Sequence, residues 1–390
     1  MKSKDRLRVA LVSFNFGEYC VRLANALSGD ADVLLVLPEQ IASHYAAKLN
    51  DAVRLFSFAG GRIRQPLPQF RAIRGILRAI RDFSPDVVHY QGVHLWFDLT
   101  LPLLHRYPLV FTVHDFRPHP GDQPLQQTPF FIEMFARRRA DQIIVHTRHT
   151  QELMVRELNC VGENISIIPH IQIGEELGSS AVPEEKHLLL FFGRIWQYKG
   201  LEYLIRAEPL ISARVPDVRI LIAGRGENFS PYTRMMVNPD RFVVDNEFIP
   251  EERTAEYFGR ASVVVLPYIE ASQSGVIPMA YSAGKPVVAT AVGGLPEMVE
   301  HGRTGYLVGP RDEAQLADAV ARLLLDAPLR RQMGANGKRK IEAECSPEVI
   351  AQKTIDVYRR AITGTARAKR VQIRLAASAQ QSSVSTGAKQ

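Results

Sequence analysis

The sequence predicts two consecutive α/β domains, each built on a parallel sheet with helices on its faces. Short apolar runs alternate with longer stretches of helical period along most of the chain, which is the pattern of repeated βαβ units. The alternation stops once, in a polar stretch, and then restarts. At 390 residues the chain also exceeds the usual single-domain size and leaves enough material for two buried cores.

The first series of strand-like runs is Val9 to Ser13, Val33 to Leu37, Val87 to Tyr90, Val110 to Val113 and Ile143 to His146. It places a first domain over 1–173. The Glu/Gly/Ser-rich segment Gly174 to Lys186 reads as the linker. The second series is His187 to Phe192, Val218 to Ala223, Phe242 to Val244, Val263 to Leu266 and Pro286 to Ala289, which places a second domain over 187–345. Ser346-Pro347-Glu348 is a helix-start signal, and the helix it opens, 346–363, carries Val349, Ile350, Val357, Tyr358, Ala361 and Ile362 along one side. The remaining 364–390, rich in Ala, Ser, Gln and Thr, lacks an apolar period and is expected to be a disordered tail.

Composition narrows the class. Hydrophobic residues at 46% and charged residues at 23% fit a globular protein. Cys20, Cys160 and Cys345 are far apart and form no CxxC pair, which argues against a disulfide framework or a cysteine zinc site and for a reducing compartment. The start, MKSKDRLRVALVSF, lacks the apolar core of a signal peptide, and no run approaches the roughly 18 to 20 apolar residues that span a bilayer. The expectation is a cytoplasmic protein, at most peripheral on the inner membrane face. A net charge of +7 points to anionic partners. No zinc-finger spacing or RNP-type aromatic motif is present, so nucleic acid is not an expected partner.

In FRAIRGILRAIRDF, Arg71, Arg74, Arg78 and Arg81 share a narrow helical face, with Ile73, Ile76, Leu77, Ile80 and Phe83 opposite. The plain reading is a surface helix packed on its own sheet. The functional reading is that the arginines of this 70–83 helix meet an anionic membrane surface.

Two segments carry chemistry. GRIWQYKG, Gly193 to Gly200, follows an apolar strand and precedes the helical pattern Leu201 to Leu210. Arg194 and Lys199, five residues apart at a strand-to-helix turn, can converge on one diphosphate, the arginine as a planar fork and the lysine as a mobile point charge. The N-terminus of the following helix favours the same anion. The alternative is an ordinary charged turn. In PYIEASQSGVIPMAYSAGKPVVAT, Pro267 to Thr290, small residues lie between a strand and a helix that begins near Val276. They leave the backbone N–H groups of Ser274, Gly275 and Val276 open to an anionic ligand, and Glu270 can accept hydrogen bonds from sugar hydroxyls.

Together these segments resemble the retaining glycosyltransferases of family 4, which have the GT-B architecture of two facing Rossmann-like domains. Gly193, Arg194, Lys199 and Gly200 match the family's GR…KG diphosphate motif, and Gly284 to Thr290 matches its GKPVVAT strand. Gly293-Gly294, Pro296-Glu297, Gly302 and Thr304-Gly305 match the segment that follows. The resemblance runs from the first strand to the last helix. It implies an acceptor-side first domain, a nucleotide-sugar-binding second domain, and a C-terminal helix that crosses back to the first. In VFTVHDFRPH it assigns His114 to the donor sugar near the reaction centre; the plain alternative is a histidine that hydrogen-bonds within its loop. Gly17 and Gly224 match glycine turns of the two domains. Gly17 would admit the donor phosphate or the acceptor, or simply make a turn, and Gly224 would leave room beside the nucleotide.

The departure from the family is as informative. Its two glutamates, separated by seven residues, fall here at Ala271 and Met279, counting back from Gly284. Glu270, one residue early, stands in for the first; nothing replaces the second, so ribose must be held from elsewhere or held more weakly. The resemblance implies a metal-independent hexosyltransferase with a nucleoside diphosphate sugar as donor and no other cofactor. A lipid-linked sugar or growing surface polysaccharide is the expected acceptor. A catalytically weak nucleotide-sugar-binding or partner subunit is the alternative. Other enzyme classes have less support. No GxGxxG follows a strand as a nicotinamide oxidoreductase requires, and His89, His94, His114, Asp115 and His119 lack the spacing of a metal hydrolase.

Overall fold

A computed structural model describes residues 6–60, 65–116, 130–158, 162–174, 177, 182–226 and 228–364. The expected tail beyond 364, together with Cys160 and His119, lies outside the described residues.

The first sheet has seven parallel strands: β1 (Leu7–Ser13), β2 (Ala31–Pro38), β3 (Val53–Phe58), β4 (Val87–Gln91), β5 (Leu109–Val113), β6 (Gln142–Val145) and β7 (Ile165–Ile167). Their order is β3-β2-β1-β4-β5-β6-β7. Helices α1 (Gly17–Leu27), α2 (Glu39–Tyr45), α3 (Pro66–Phe83), α4 (Leu95–Asp98), α5 (Phe130–Arg139) and α6 (Arg148–Leu158) connect them. The pleat of β1 sorts its side chains between two cores. Val9 and Leu11 pack with Leu23 and Leu27 of α1, whereas Ala10 and Val12 pack with Ile73, Ile76 and Ile80 of α3. Arg71, Arg74, Arg78 and Arg81 are left on the exposed side of α3, as its periodicity predicts.

The second sheet has six parallel strands, β8 (Leu188–Phe192), β9 (Arg219–Ala223), β10 (Phe242–Asp245), β11 (Val263–Leu266), β12 (Val287–Thr290) and β13 (Gly305–Val308), in the order β10-β9-β8-β11-β12-β13. Its helices are α7 (Leu201–Ser212), α8 (Ser230–Thr233), α9 (Glu251–Arg260), α10 (Val276–Ser282), α11 (Leu295–Met298), α12 (Glu313–Leu325) and α13 (Ala327–Cys345). A last helix, α14 (347–364), leaves this domain. It buries Ile350, Ile355, Val357, Tyr358 and Ala361 among the β1, β2 and α1 side chains of the first domain, so the chain crosses back as the resemblance implied.

In each sheet the strand order reverses between its first and fourth strands, at β1/β4 and at β8/β11. Loops leaving the carboxyl ends of such a pair diverge to opposite sides and open a crevice, where open α/β sheets bind ligands.

The docking of α14 has a polar anchor: fully buried His89 shares hydrogen bonds of 2.7 Å with the Tyr358 hydroxyl and with Thr112 Oγ1. Burial pushes the His89 imidazole down from its ordinary 6.5 to about 3. Its contribution to stability is therefore complete above about pH 6.5 and is lost as pH falls toward 3, because the unfolded state binds the proton first. Tyr358→Phe should destabilise by about 1–3 kcal/mol through the orphaned imidazole nitrogen, and Tyr358→Ala by about 3–5 kcal/mol. In urea titrations across this pH range, His89→Gln should show a shallower loss of midpoint than the unsubstituted protein.

Candidate active site at the domain crevice

The turn after β8 is shaped by close backbone approach. Gly193 (φ 110°) donates its N–H to the Ala223 carbonyl at 2.9 Å, and Gly224 (φ 141°) at the end of β9 lies directly against it. A Cβ on Gly224 would stand 2.0 Å from the Gly193 oxygen, so neither its conformation nor its surroundings admit a side chain. The space above Gly193 faces Val276, the first residue of α10, 3.7 Å from an added Cβ. Four of the residues singled out from sequence, Gly193, Gly224, Ser274 and Val276, are thereby brought together, with Val276 N–H donating to Ser274 Oγ at 3.3 Å.

The cationic pair sits on the same turn. Arg194 is exposed and donates from Nη2 to the Tyr198 hydroxyl at 3.0 Å. Lys199 Nζ lies 3.8 Å from the ring centroid of Tyr268 and 5.0 Å from that of Tyr198, a cation held between two aromatic faces. The Tyr268 hydroxyl reaches Ser274 Oγ at 3.3 Å, and Ile269 N–H donates to the Tyr198 carbonyl at 2.8 Å. Exposed Glu270 is thus carried next to the GRIWQYKG turn. Gly200, the residue after Lys199, caps α7, which begins at Leu201. Tyr198 and Tyr268 were not singled out from sequence, although both lie inside the two segments that were.

The counted glutamate positions hold no carboxylate. Ala271 is buried and its carbonyl accepts from Gly294 N–H at 3.3 Å, while Met279 packs toward the linker, 3.4 Å from an added Cβ on Gly174.

His114 belongs to a separate cluster in the first domain. It is 5% exposed, covered by the Phe16 ring at 3.8 Å between centroids with planes 20° apart. Its Nε2 is 2.8 Å from Gln91 Oε1 and its Nδ1 is 3.0 Å from His146 Nε2. Tyr19 meets it edge-on. Burial, then the neighbouring histidines, holds His114 well below its ordinary value. His146 is pushed down to about 3, chiefly by burial. In this conformation both His114 nitrogens are engaged within the cluster. Phe16 precedes Gly17 in a left-handed conformation (φ 56°) that glycine adopts more readily. Gly17 itself has a packing reason to be glycine: a Cβ there would lie 2.4 Å from Ile41 and 2.6 Å from Tyr45 of α2.

The His146 side of this cluster reaches the seam between the domains. A cavity of about 120 Å³ there is lined by His146, Thr147 and His170 on one side and Gln273, Pro278 and Glu297 on the other. Thr147 Oγ1 donates to the Ser272 carbonyl at 3.2 Å. Among the described residues no group of three or more His, Cys, Asp or Glu side chains is arranged to hold a metal ion.

Both halves of the chain resemble known proteins. Residues 17–171 match the family described as Glycosyltransferase Family 4, and residues 186–326 match Glycosyl transferases group 1. D-inositol 3-phosphate glycosyltransferase of Corynebacterium aurimucosum is 30% identical over 295 residues, covering 67% of this chain and 69% of that protein. The chain belongs to glycosyltransferase family 4. An uncharacterized glycosyltransferase of Methanocaldococcus jannaschii is 32% identical to this family 4 glycosyltransferase over 183 residues, 46% of this chain; the chain spans about half (47%) of that relative. The fold is that of GT-B enzymes. HepE of Anabaena, in complex with UDP and glucose, superposes with a TM-score of 0.68 at 18% identity over 90% of this chain and 98% of that one.

In this glycosyltransferase Gly224→Ala should be destabilising by about 1–3 kcal/mol, because the new Cβ displaces the turn that carries Arg194. Thermal denaturation should show the loss, and donor hydrolysis should fall more than the same residual stability predicts for a control substitution within β9.

Proposed function

We propose that the enzyme moves a sugar from a nucleoside diphosphate sugar, with retention at the anomeric carbon, to a lipid-linked sugar or growing surface polysaccharide. The observation that carries this reading is the pairing of Arg194 and Lys199 on one turn at the N-terminus of α7, with Lys199 held against Tyr268. These cations neutralise the charge that grows on the diphosphate as the bond from the anomeric carbon to phosphate oxygen breaks. The acceptor oxygen bonds to the same carbon on the same face, and its proton passes to the departing phosphate oxygen. No protein nucleophile takes part. Glu270 accepts from sugar hydroxyls, the N–H groups of Ser274 and Gly275 face the diphosphate, joined by that of Val276 once it leaves Ser274 Oγ, and His114 borders the sugar once the Phe16 ring moves aside. That HepE holds UDP and glucose supports testing uridine nucleotides first.

A catalytically weak nucleotide-sugar-binding subunit is the second reading, favoured by Ala271 and Met279 at the glutamate positions. A thermal-shift screen against UDP, GDP, ADP and TDP and their common sugars, without added metal, tests the site. One nucleotide should raise the melting temperature of the wild type and not of Arg194→Ala/Lys199→Ala. Slow donor hydrolysis abolished by Arg194→Ala supports the transferase; donor binding without turnover for any acceptor supports the second reading.

The proposed location is the inner membrane face. No described helix is long and apolar enough to cross a membrane. On α3, however, Leu67 (70% exposed) and Phe70 (63% exposed) stand at the end that also carries Arg71 and Arg74. Apolar side chains beside arginines suit insertion at an anionic lipid interface. Sedimentation with anionic liposomes should retain the wild type and lose most of an Arg71/Arg74/Arg78/Arg81→Glu variant. Equal binding by both would remove the membrane from the proposal.

A further inference from the structure

We propose that His146, together with Gln91, is a positioning residue that fixes His114 as the neutral tautomer protonated at Nδ1, with its Nε2 left as a hydrogen-bond acceptor. The inference rests on the reading of His114 as the residue bordering the sugar.

The argument is a count of protons along a chain of buried contacts. His146 Nδ1 lies 2.9 Å from the Ile168 carbonyl oxygen, which can only accept, so that nitrogen carries a hydrogen. A neutral imidazole has one N–H, so His146 Nε2 is a lone pair. It faces His114 Nδ1 at 3.0 Å, and two lone pairs do not approach to that distance. His114 Nδ1 therefore supplies the proton, and its Nε2 is bare. The partner of that nitrogen, 2.8 Å away, is the side-chain amide of Gln91, which must turn its NH2 group toward the ring. Oxygen and nitrogen of an amide are exchangeable assignments that the hydrogen-bond network decides. Turning the amide has an independent merit: Gln91 Nε2 is otherwise buried without a partner, and in this orientation it gains His114. The oxygen released is offered to the Tyr19 phenol, which already interacts with Gln91. Every donor then points the same way, from Tyr19 through Gln91, His114 and His146 to the Ile168 carbonyl.

The alternative, a third proton shared by the two rings, would put an imidazolium where burial holds both histidines low. It would also leave Gln91 Nε2 unpaired. His146 lies 32 residues beyond His114, at β6's carboxyl end beside β5, and parallel register brings the two rings together: Val113 pairs with Val145, one residue before each.

The test is histidine-selective 15N NMR on the full-length protein, with the His114 signals assigned from a His114→Gln variant. Wild-type His114 should show the Nδ1-protonated tautomer. His146→Phe, which removes the acceptor, should shift His114 toward Nε2 protonation and lower kcat for donor hydrolysis about tenfold with little change in KM. His146→Gln, whose amide oxygen restores an acceptor, should recover the tautomer and most of the turnover. Wild-type His114 protonated at Nε2 or at both nitrogens overturns the proposal, as does a His146→Phe variant with unchanged tautomer or unchanged turnover. The wild-type tautomer is read without any variant having to fold at position 146. Absence of hydrolysis by the wild type would instead count against the transferase reading, and the tautomer measurement does not depend on it.

Discussion

The arrangement of the site depends on how one helix end is satisfied. The first N–H groups of any α-helix lack partners within the helix and carry partial positive charge. At α6 the N–H of Thr150 donates to Thr147 Oγ1 at 3.2 Å, a local cap. The N–H groups of Arg148 and His149 instead donate to the two carboxylate oxygens of Glu297, at 2.7 and 2.8 Å, from the other domain. The fit is tight, since a Cβ on Gly294 would lie 2.5 Å from Thr147. Because Ala271 and Ser272 lie against the same glycines, the capped helix end also sets where the loop toward Ser274 and Gly275 runs. A contact that looks like structural fastening thus decides the position of backbone groups assigned to the diphosphate.

Strand order explains why the chemistry-bearing residues fall on turns with unusual backbone. At β1/β4 and β8/β11 the departing loops must reverse direction within a few residues. Phe16, Gly92, Gly193 and Gly200 have positive φ there, and so does Gly224 at the end of the neighbouring β9. Phe16 differs from the rest because it has a side chain, and its ring uses that forced direction to lie over His114. The left-handed strain, of the order of 1–2 kcal/mol, and the stacking gain, about 0.5–1.5 kcal/mol, are similar in size and opposite in sign. The ring is therefore held over the histidine with little net free energy.

Much of the fold was legible because central strands of parallel sheets are buried on both faces and read as unbroken apolar runs. Three strands escaped notice for the converse reason. β3 (VRLFSF) and β13 (GYLV) are sheet edges, β3 with most of its residues at least partly open to solvent, and β7 has only three residues. Of the site, the GRIWQYKG turn was readable because its residues are contiguous and act together. The roles of Tyr198 and Tyr268 depend on two turns meeting across β8 and β11, which spacing along the chain does not encode. His146 pairs with His114 through strand register, and neither neighbouring sequence hints at it. Gly17 shows the opposite limit: its position matched a ligand-facing turn, yet the side chains it accommodates, Ile41 and Tyr45, come from the next helix.

The return of α14 to the first domain has a mechanical consequence. The polypeptide passes between the domains twice, near 172–174 and near 345–347, and the passages run side by side, with Gln172 N–H donating to the Cys345 carbonyl at 2.8 Å. Gln172 Nε2 also donates to Ser282 Oγ at 3.1 Å. Two covalent crossings tied to each other define one axis. Rotation about that axis opens the crevice without stretching either passage, whereas sliding or twisting the domains would shear the pair apart. The two crossings thus restrict the two halves to the swing of a door.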